Sequence, residues 1–344
     1  MSLTSINLQK FTAFKEIDVE LSPGINVFIG ENGTGKTHLL KVAYCACDIT
    51  KDGRHFAQKL IATFLPDERR LGRLVHRTRR SDTCTIEVHR GSKKIALSFT
   101  NHAKDPEDAQ ISGLGEWLAQ KVKSAYIPAK EMLAHAPGFV SLYNARELQF
   151  EEVYHDIIIT AFMPILKGPY DERRKKLLSI LQKAIQGKVL TEGETFFLKD
   201  RQGKLEFTLL AEGIRKLALL WLLIQNGTLL EGSVLFWDEP ETNLNPKLIR
   251  TVMEVLLELQ RMGVQILLAT HSYVVLKELD LQSKEGDKVL YHSLYRDKDG
   301  SIAHSATDKF LSVHPNAIRD TFLDLYDRDV ERELESGGSG DVAR

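Results

Sequence analysis

A mixed α/β fold on a central sheet is the architecture that three features of the sequence predict. Short, largely apolar runs at 25–29, 234–237 and 265–270 have the length and composition of strands buried on both faces. Helical periodicity follows the first run at 38–44 and separates the other two at 246–262. Residues 3–9 and 17–21 instead alternate apolar and polar side chains, and 83–88 with 94–99 form a hairpin pattern around Gly91-Ser92. Together these point to an antiparallel β region beside the central sheet.

The remaining elements follow in order. Pro23-Gly24 marks a turn before the first buried strand. An apolar segment, 122–127, ends at Pro128, and 140–187 reads as mostly helical with a breaker at Lys167-Gly168-Pro169. A second hairpin is expected from 194–199 and 204–209, turning at 200–203. An almost continuously apolar helix is expected at 213–225. A third hairpin, 288–296 and 301–305 around Asp299-Gly300, leads to a helix at 315–335. Gly337-Gly338-Ser339-Gly340 has flexible composition, so 331–344 is expected to be a flexible tail.

The chain has 344 residues, enough for one large α/β domain or a core with an inserted lobe. Its 46 Lys and Arg against 47 Asp and Glu leave a net charge of −1, so nucleic acid could be held only by a local patch. Cys45, Cys47 and Cys84 are too few for a disulfide framework and read as buried small hydrophobes in a reducing compartment. No basic leader precedes an apolar stretch, and no apolar run reaches the ~18 residues of a membrane span. A cytoplasmic protein with no membrane segment is the expectation.

Four motifs carry chemistry. The first is Gly30-Glu31-Asn32-Gly33-Thr34-Gly35-Lys36-Thr37, a G-x-x-x-x-G-K-[ST] loop set between a strand and a helix. Its glycines let successive backbone N–H groups face phosphates, Lys36 neutralises the β and γ oxygens, and the Thr37 hydroxyl ligates Mg²⁺. ATP with Mg²⁺ is therefore the expected ligand. The second is Val234-Leu235-Phe236-Trp237-Asp238-Glu239-Pro240, a buried strand whose end presents two acids beside the loop. There Asp238 would hold the metal shell, and Glu239 would orient and polarise the attacking water. The third is Ala269-Thr270-His271-Ser272, where His271 can touch the γ-phosphate. The fourth, Leu210-Ala211-Glu212-Gly213-Ile214-Arg215-Lys216, opens the apolar helix and offers its N-terminus as an anion site.

In this order the motifs resemble the ABC-type ATPase superfamily, in the branch of RecF, SMC-like heads and the OLD-type group of AAA ATPases. The resemblance runs from residue 1 to about 330. It includes a loop similar to the D-loop at Glu241-Thr242-Asn243-Leu244-Asn245-Pro246, and an opening, with Phe11 and Phe14, similar to RecF-like N-terminal strands. Asp-Glu-Pro-Glu-Thr-Asn-Leu-Asn-Pro with Ala-Thr-His-Ser looks nearest the OLD-type group, here without its Toprim nuclease.

The resemblance implies one ABC-type domain over 1–330: an N-terminal nucleotide-binding part with antiparallel β structure (1–130), an inserted helical lobe and hairpin (131–210), and a part carrying signature-like helix, acidic strand, D-loop and switch histidine (211–330). It also implies a homodimer closing head-to-tail on ATP, with Ala211, Glu212, Gly213 and Asn243 facing the partner's nucleotide, and a separately encoded effector in phage defence or a toxin–antitoxin-like system. Two departures stand out. Ala211 replaces the signature serine, and in place of the Q-loop glutamine the polar candidates are Lys130 and Glu131. The run 67–80 carries six arginines and would touch DNA if the chain worked as RecF does. A transporter's nucleotide-binding subunit is the further alternative, which the missing Leu-Ser-Gly-Gly-Gln disfavours.

Overall fold

The computed structural model describes residues 2–77, 81–146, 148–168 and 170–337. β1 (Ser5–Phe11) and β2 (Phe14–Glu20) form a hairpin, and β3 (Ile25–Gly30) runs through the glycine-rich loop into α1 (Lys36–Asp52). Next come α2 (Phe56–Phe64), β4 (Thr83–Arg90), β5 (Lys93–Thr100), β6 (Gln110–Ser112), α3 (Leu114–Leu118) and β7 (Ser124–Ile127). The middle of the chain holds α4 (Phe139–Asn144), α5 (Glu152–Ala161), α6 (Glu172–Ile185), β8 (Lys188–Glu192), β9 (Thr195–Lys199) and β10 (Lys204–Glu206). Then follow α7 (Glu212–Gln225), β11 (Val234–Asp238), α8 (Pro246–Arg261), β12 (Gln265–Ala269), α9 (Tyr273–Gln282), β13 (Val289–Arg296), β14 (Ile302–Thr307) and α10 (Ala317–Gly337).

Among the described residues the strands form three sheets. The central one has the order β14-β13-β3-β12-β11-β7 and is parallel except for its β14 edge. An antiparallel sheet, β2-β1-β4-β5-β6, carries the N-terminal strands, and a small one, β10-β9-β8, lies in the insertion. Alternation along the central strands divides the core. Val27, Ile29, Leu235, Trp237, Ile266 and Leu268 face a cluster that includes residues of α5 to α8. Phe28, Phe236, Leu267 and Ala269 face α1 and the antiparallel sheet. Burial on both faces is why these runs carry so little polarity.

The helical insertion is tied to α1 by charge. Lys59 of α2 has no exposed side-chain surface, and its Nζ lies 2.6 Å from Asp48, 2.6 Å from Asp156 and 3.1 Å from Glu152. Three carboxylates from α1 and α5 thus share one buried ammonium, which holds its pKa up; His155, then Lys59 and the Tyr44 hydroxyl, hold that of Asp156 well below the usual carboxylate range, against the burial of both groups.

The insertion departs from expectation in detail. β8 adds a third strand beside the expected hairpin, and residues 207–209 form a short 3₁₀ turn instead of continuing the strand. Residues 331–337, expected in a flexible tail, continue α10, where Asp324–Arg328 and Asp329–Arg332 pairs support it. Residues 338–344 lie outside the described residues.

Candidate nucleotide site

β3 ends in Gly30 at φ 147°, and a Cβ there would collide with the carbonyl of Leu294 on the neighbouring strand. Gly35 caps α1 in the left-handed region, where a Cβ would run into the ring of Phe14. No side chain caps this helix and its first turn holds no acid, whereas Asp171, Asn245 and Ser272 cap α6, α8 and α9. The N-terminal donors of α1 are thus left for an anion. Lys36, buried beside them, bends back to donate to the carbonyls of Gly30 and Glu31, each at 2.8 Å. Burial lowers its pKa to about 8, against the pull of Glu239, Asp238 and Glu241. Thr34 bridges the loop by donating to the Glu31 carbonyl at 2.9 Å. Asn32 and Gly33 form its exposed rim, and the guanidinium of Arg296 donates to the Gly33 carbonyl at 3.3 Å.

The end of β11 brings Asp238 to this loop. Thr37 Oγ1 donates to Asp238 Oδ1 at 3.1 Å, and the Tyr126 hydroxyl of β7 donates to Oδ2 at 3.4 Å. Burial raises the Asp238 pKa to about 6 despite these bonds. A hydroxyl and a carboxylate side by side are hard oxygen donors. That set suits Mg²⁺, which takes one or two carboxylates and completes its shell from phosphate and water. Among the described residues no group of three or more His, Cys, Asp or Glu gathers to hold a metal by itself.

Glu239, one residue on, adopts φ 47°, an unfavourable region for a side-chain-bearing residue, and its N–H donates to the Ala269 carbonyl. This turn aims its carboxylate out of the strand, where Thr242 Oγ1 donates to it at 3.2 Å and His271 Nε2 stands 3.6 Å away. Burial and then the charge of Lys36 lower the His271 pKa, opposed by Glu239. Sequence reasoning did not single out Glu241. Its Oε1 accepts from Thr270 Oγ1 and from the His271 N–H, both at 2.8 Å, so it fixes the segment carrying the histidine. An acid two residues beyond Glu239 was the available signal.

The start of α7 is joined to the Glu241–Asn245 turn of the same chain. Asn243 donates to Glu212 Oε2 at 2.7 Å, Lys216 Nζ donates to the Thr242 carbonyl at 2.6 Å, and Gly213 packs on the Asn243 carbonyl and Leu244. Ala211 at the N-cap is exposed and makes no side-chain cap bond. Glu131, one of the two Q-loop candidates, has a buried side chain with its carboxylate 2.6 Å from Arg215 of α7, while Lys130 is exposed. Of the arginine-rich run, 67–77 forms two short 3₁₀ turns in which Arg70 pairs with Glu68 and Arg73 with Asp67. Residues 78–80 lie outside the described residues.

The strand–loop–helix unit, the acidic strand end and the switch segment thus meet on one edge of the central sheet, with Thr37 touching Asp238 and His271 facing Glu239. Solved structures share this architecture. The SMC head domain from Thermotoga maritima matches over 90% of this chain and 100% of its own, with a TM-score of 0.50 and 14% identity. The Smc head domain derived from Pyrococcus furiosus, with an extended coiled coil and bound to the C-terminal domain of ScpA, matches over 89% and 96%, with a TM-score of 0.51 and 9% identity. In sequence, the DNA replication and repair protein RecF of Streptococcus suis is 33% identical over 113 residues, which are 33% of this chain and 30% of RecF. The chain therefore spans under a third of the length of that relative. RecF of Lactobacillus acidophilus is 24% identical over 168 residues, 42% of its length.

The fold is that of an ABC-type P-loop ATPase, shared with the SMC heads, and part of the sequence is similar to RecF. Within that class the chain belongs to the family described as "AAA domain, putative AbiEii toxin, Type IV TA system", whose model matches residues 48–277. No helix among the described residues is long and apolar enough to cross a membrane.

Proposed function

We propose that the chain binds ATP with Mg²⁺ in the Gly30–Thr37 loop, hydrolyses it, and closes head-to-tail with a second copy while ATP is bound. The observation that carries this reading is the uncapped, acid-free start of α1 beside Lys36, with Thr37 and Asp238 in contact at 3.1 Å. Lys36 exchanges its two loop carbonyls for phosphate oxygens, and its charge together with the α1 donors stabilises the transferring phosphoryl group. Thr37 and Asp238 hold the Mg²⁺, which when bound neutralises charge on the phosphate oxygens. Glu239 orients a water and takes up its proton, and His271, held by Glu241, contacts the γ-phosphate. Ala211, Glu212 and Gly213 face the partner's nucleotide through backbone donors. Asn243 braces that helix start by its bond to Glu212.

Glu239→Gln tests the chemistry. ATP binding should persist, turnover should fall by about 10²–10⁴-fold, and light scattering should show an ATP-stabilised dimer. Undiminished turnover would remove Glu239 from this role. Lys36→Ala should lose nucleotide binding.

In the cell this ATPase gates a separately encoded effector, in phage defence or a toxin–antitoxin-like pair. The family description names a putative toxin and a Type IV TA system, which supports the toxin–antitoxin side of this reading, and the Pyrococcus furiosus head is an instance of this fold bound to another protein. Pull-down of the neighbouring gene product with and without ATP is the test. RecF-like DNA binding is the second reading, favoured by the 33% identity to RecF. It predicts ATP-dependent duplex binding that weakens steeply with salt. The local Glu68–Arg70 and Asp67–Arg73 pairs weigh against the 67–80 run as its contact surface.

A further inference from the structure

α10 presents an apolar face to solvent. Phe322, Leu323, Tyr326 and Val330 are all exposed on it, Tyr326 at 66%. A run of large apolar side chains along one helix is a surface waiting for a partner. The helix is anchored at its start, where Phe322 stacks on Tyr273 of α9 at 4.5 Å and the Arg319 guanidinium donates to the Leu311 carbonyl at 3.2 Å.

The order of residues along that face says what the partner is. At about 100° per residue, positions 319, 322, 326, 330 and 333 lie within about 40° of one line along the helix. They read Arg, Phe, Tyr, Val, Glu. Reversed, the same line reads Glu, Val, Tyr, Phe, Arg. A second α10 laid antiparallel about a two-fold at Tyr326 sets Arg319 against Glu333, Phe322 against Val330, and Tyr326 on itself. A two-fold interface of this kind makes every contact twice. Parallel pairing would instead place Arg on Arg and Glu on Glu, which costs free energy. Leu323 flanks the line and widens the apolar seam. Glu333 lies 3.6 Å from Arg332 of its own helix, with 72% of its side chain exposed.

We infer that two copies of this chain associate through α10, antiparallel and centred on Tyr326. The contact needs no nucleotide and lies on a different element from the α7 start used in the ATP-closed dimer, so the two associations would combine into larger assemblies.

Sedimentation velocity of the nucleotide-free protein in EDTA tests this without reference to ATP. Wild type should sediment as a dimer, and Tyr326→Glu should halve the mass. Arg319→Glu and Glu333→Arg should each halve it too, because each puts like charges together at both ends of the seam. An equimolar mixture of these two variants should regain the dimer mass, since every 319–333 contact in the mixed pair again joins opposite charges. Tyr326 and Glu333 are exposed, Arg319 is 25% exposed and also held by the Leu311 carbonyl and Asp320, and the regained dimer itself reports that both charge variants are folded. A monomeric wild type, single variants that stay dimeric, or a mixture that stays monomeric would overturn the proposal.

Discussion

Glu241 illustrates how much a single buried carboxylate can govern here. One of its oxygens accepts two hydrogen bonds from the Thr270–His271 segment, and the other is buried without a hydrogen-bond partner. Burial, with help from the charge of Glu239, raises its pKa, and the bonds it accepts oppose that rise. Its removal frees the histidine segment without touching the loop that would hold ATP. Glu241→Ala should therefore lower kcat by about 10²-fold while KM for ATP changes little, whereas Glu241→Gln, which keeps an acceptor, should retain most of the rate. An alanine variant turning over at the wild-type rate would deny the residue any positioning role. Residues 30–37, Asp238 and Glu239 were legible from sequence because their spacing and strand context are local. Tyr126 and Glu241 were not, because their contacts depend on β7 lying beside β11 and on the loop after β12 reaching back to the β11 turn.

At the scale of elements, α7 and the Glu241–Asn245 turn behave as one unit, since Lys216, Glu212 and Gly213 all engage that turn. A large side chain at Gly213 would disturb its own chain, so it cannot report cleanly on contact with a second copy. Ala211 can, because it is exposed and caps nothing. Ala211→Glu should leave ATP binding by the isolated chain intact and weaken ATP-dependent dimerisation by at least tenfold, read as the protein concentration for half-maximal turnover. An unshifted midpoint would mean that the α7 start does not face the partner's nucleotide. The central strands were readable because burial on both faces removes polar residues from them. β8 was hidden because Lys188-Val189-Leu190-Thr191-Glu192 buries only Val189 fully, and so lacks a clear alternation. α10 runs two residues past the end at 335 that its sequence pattern predicts, into the Ser336-Gly337 start of the run that reads as a tail.

Across the whole molecule, the parallel sheet is sealed on the β13 side by imidazoles held neutral. His292 is wholly buried, stacks on Phe28 of β3 at 4.5 Å, and lies 3.0 Å from His304 of β14 and 3.2 Å from the Asn26 side chain. Burial and then the neighbouring His304 push its pKa down to about 3; burial lowers that of His304, and burial with Lys41 takes that of His38 on α1 to about 4. A lowered folded-state pKa means that the unfolded chain takes up these protons first. Stability is therefore complete above the unfolded value near 6.5 and is lost as pH falls from there toward 4 and then 3. Each such histidine contributes a slope on the order of 1.4 kcal/mol per pH unit in that window. Urea unfolding at pH 7.5 and at pH 5 should show a lower midpoint in acid. His292→Phe, which keeps the stack on Phe28 and leaves Asn26 its bond from the Ser22 N–H, should flatten that dependence. Carboxylates titrate in both proteins alike, so the difference between their slopes isolates the histidine. Equal slopes would show that His292 is not held neutral by the fold.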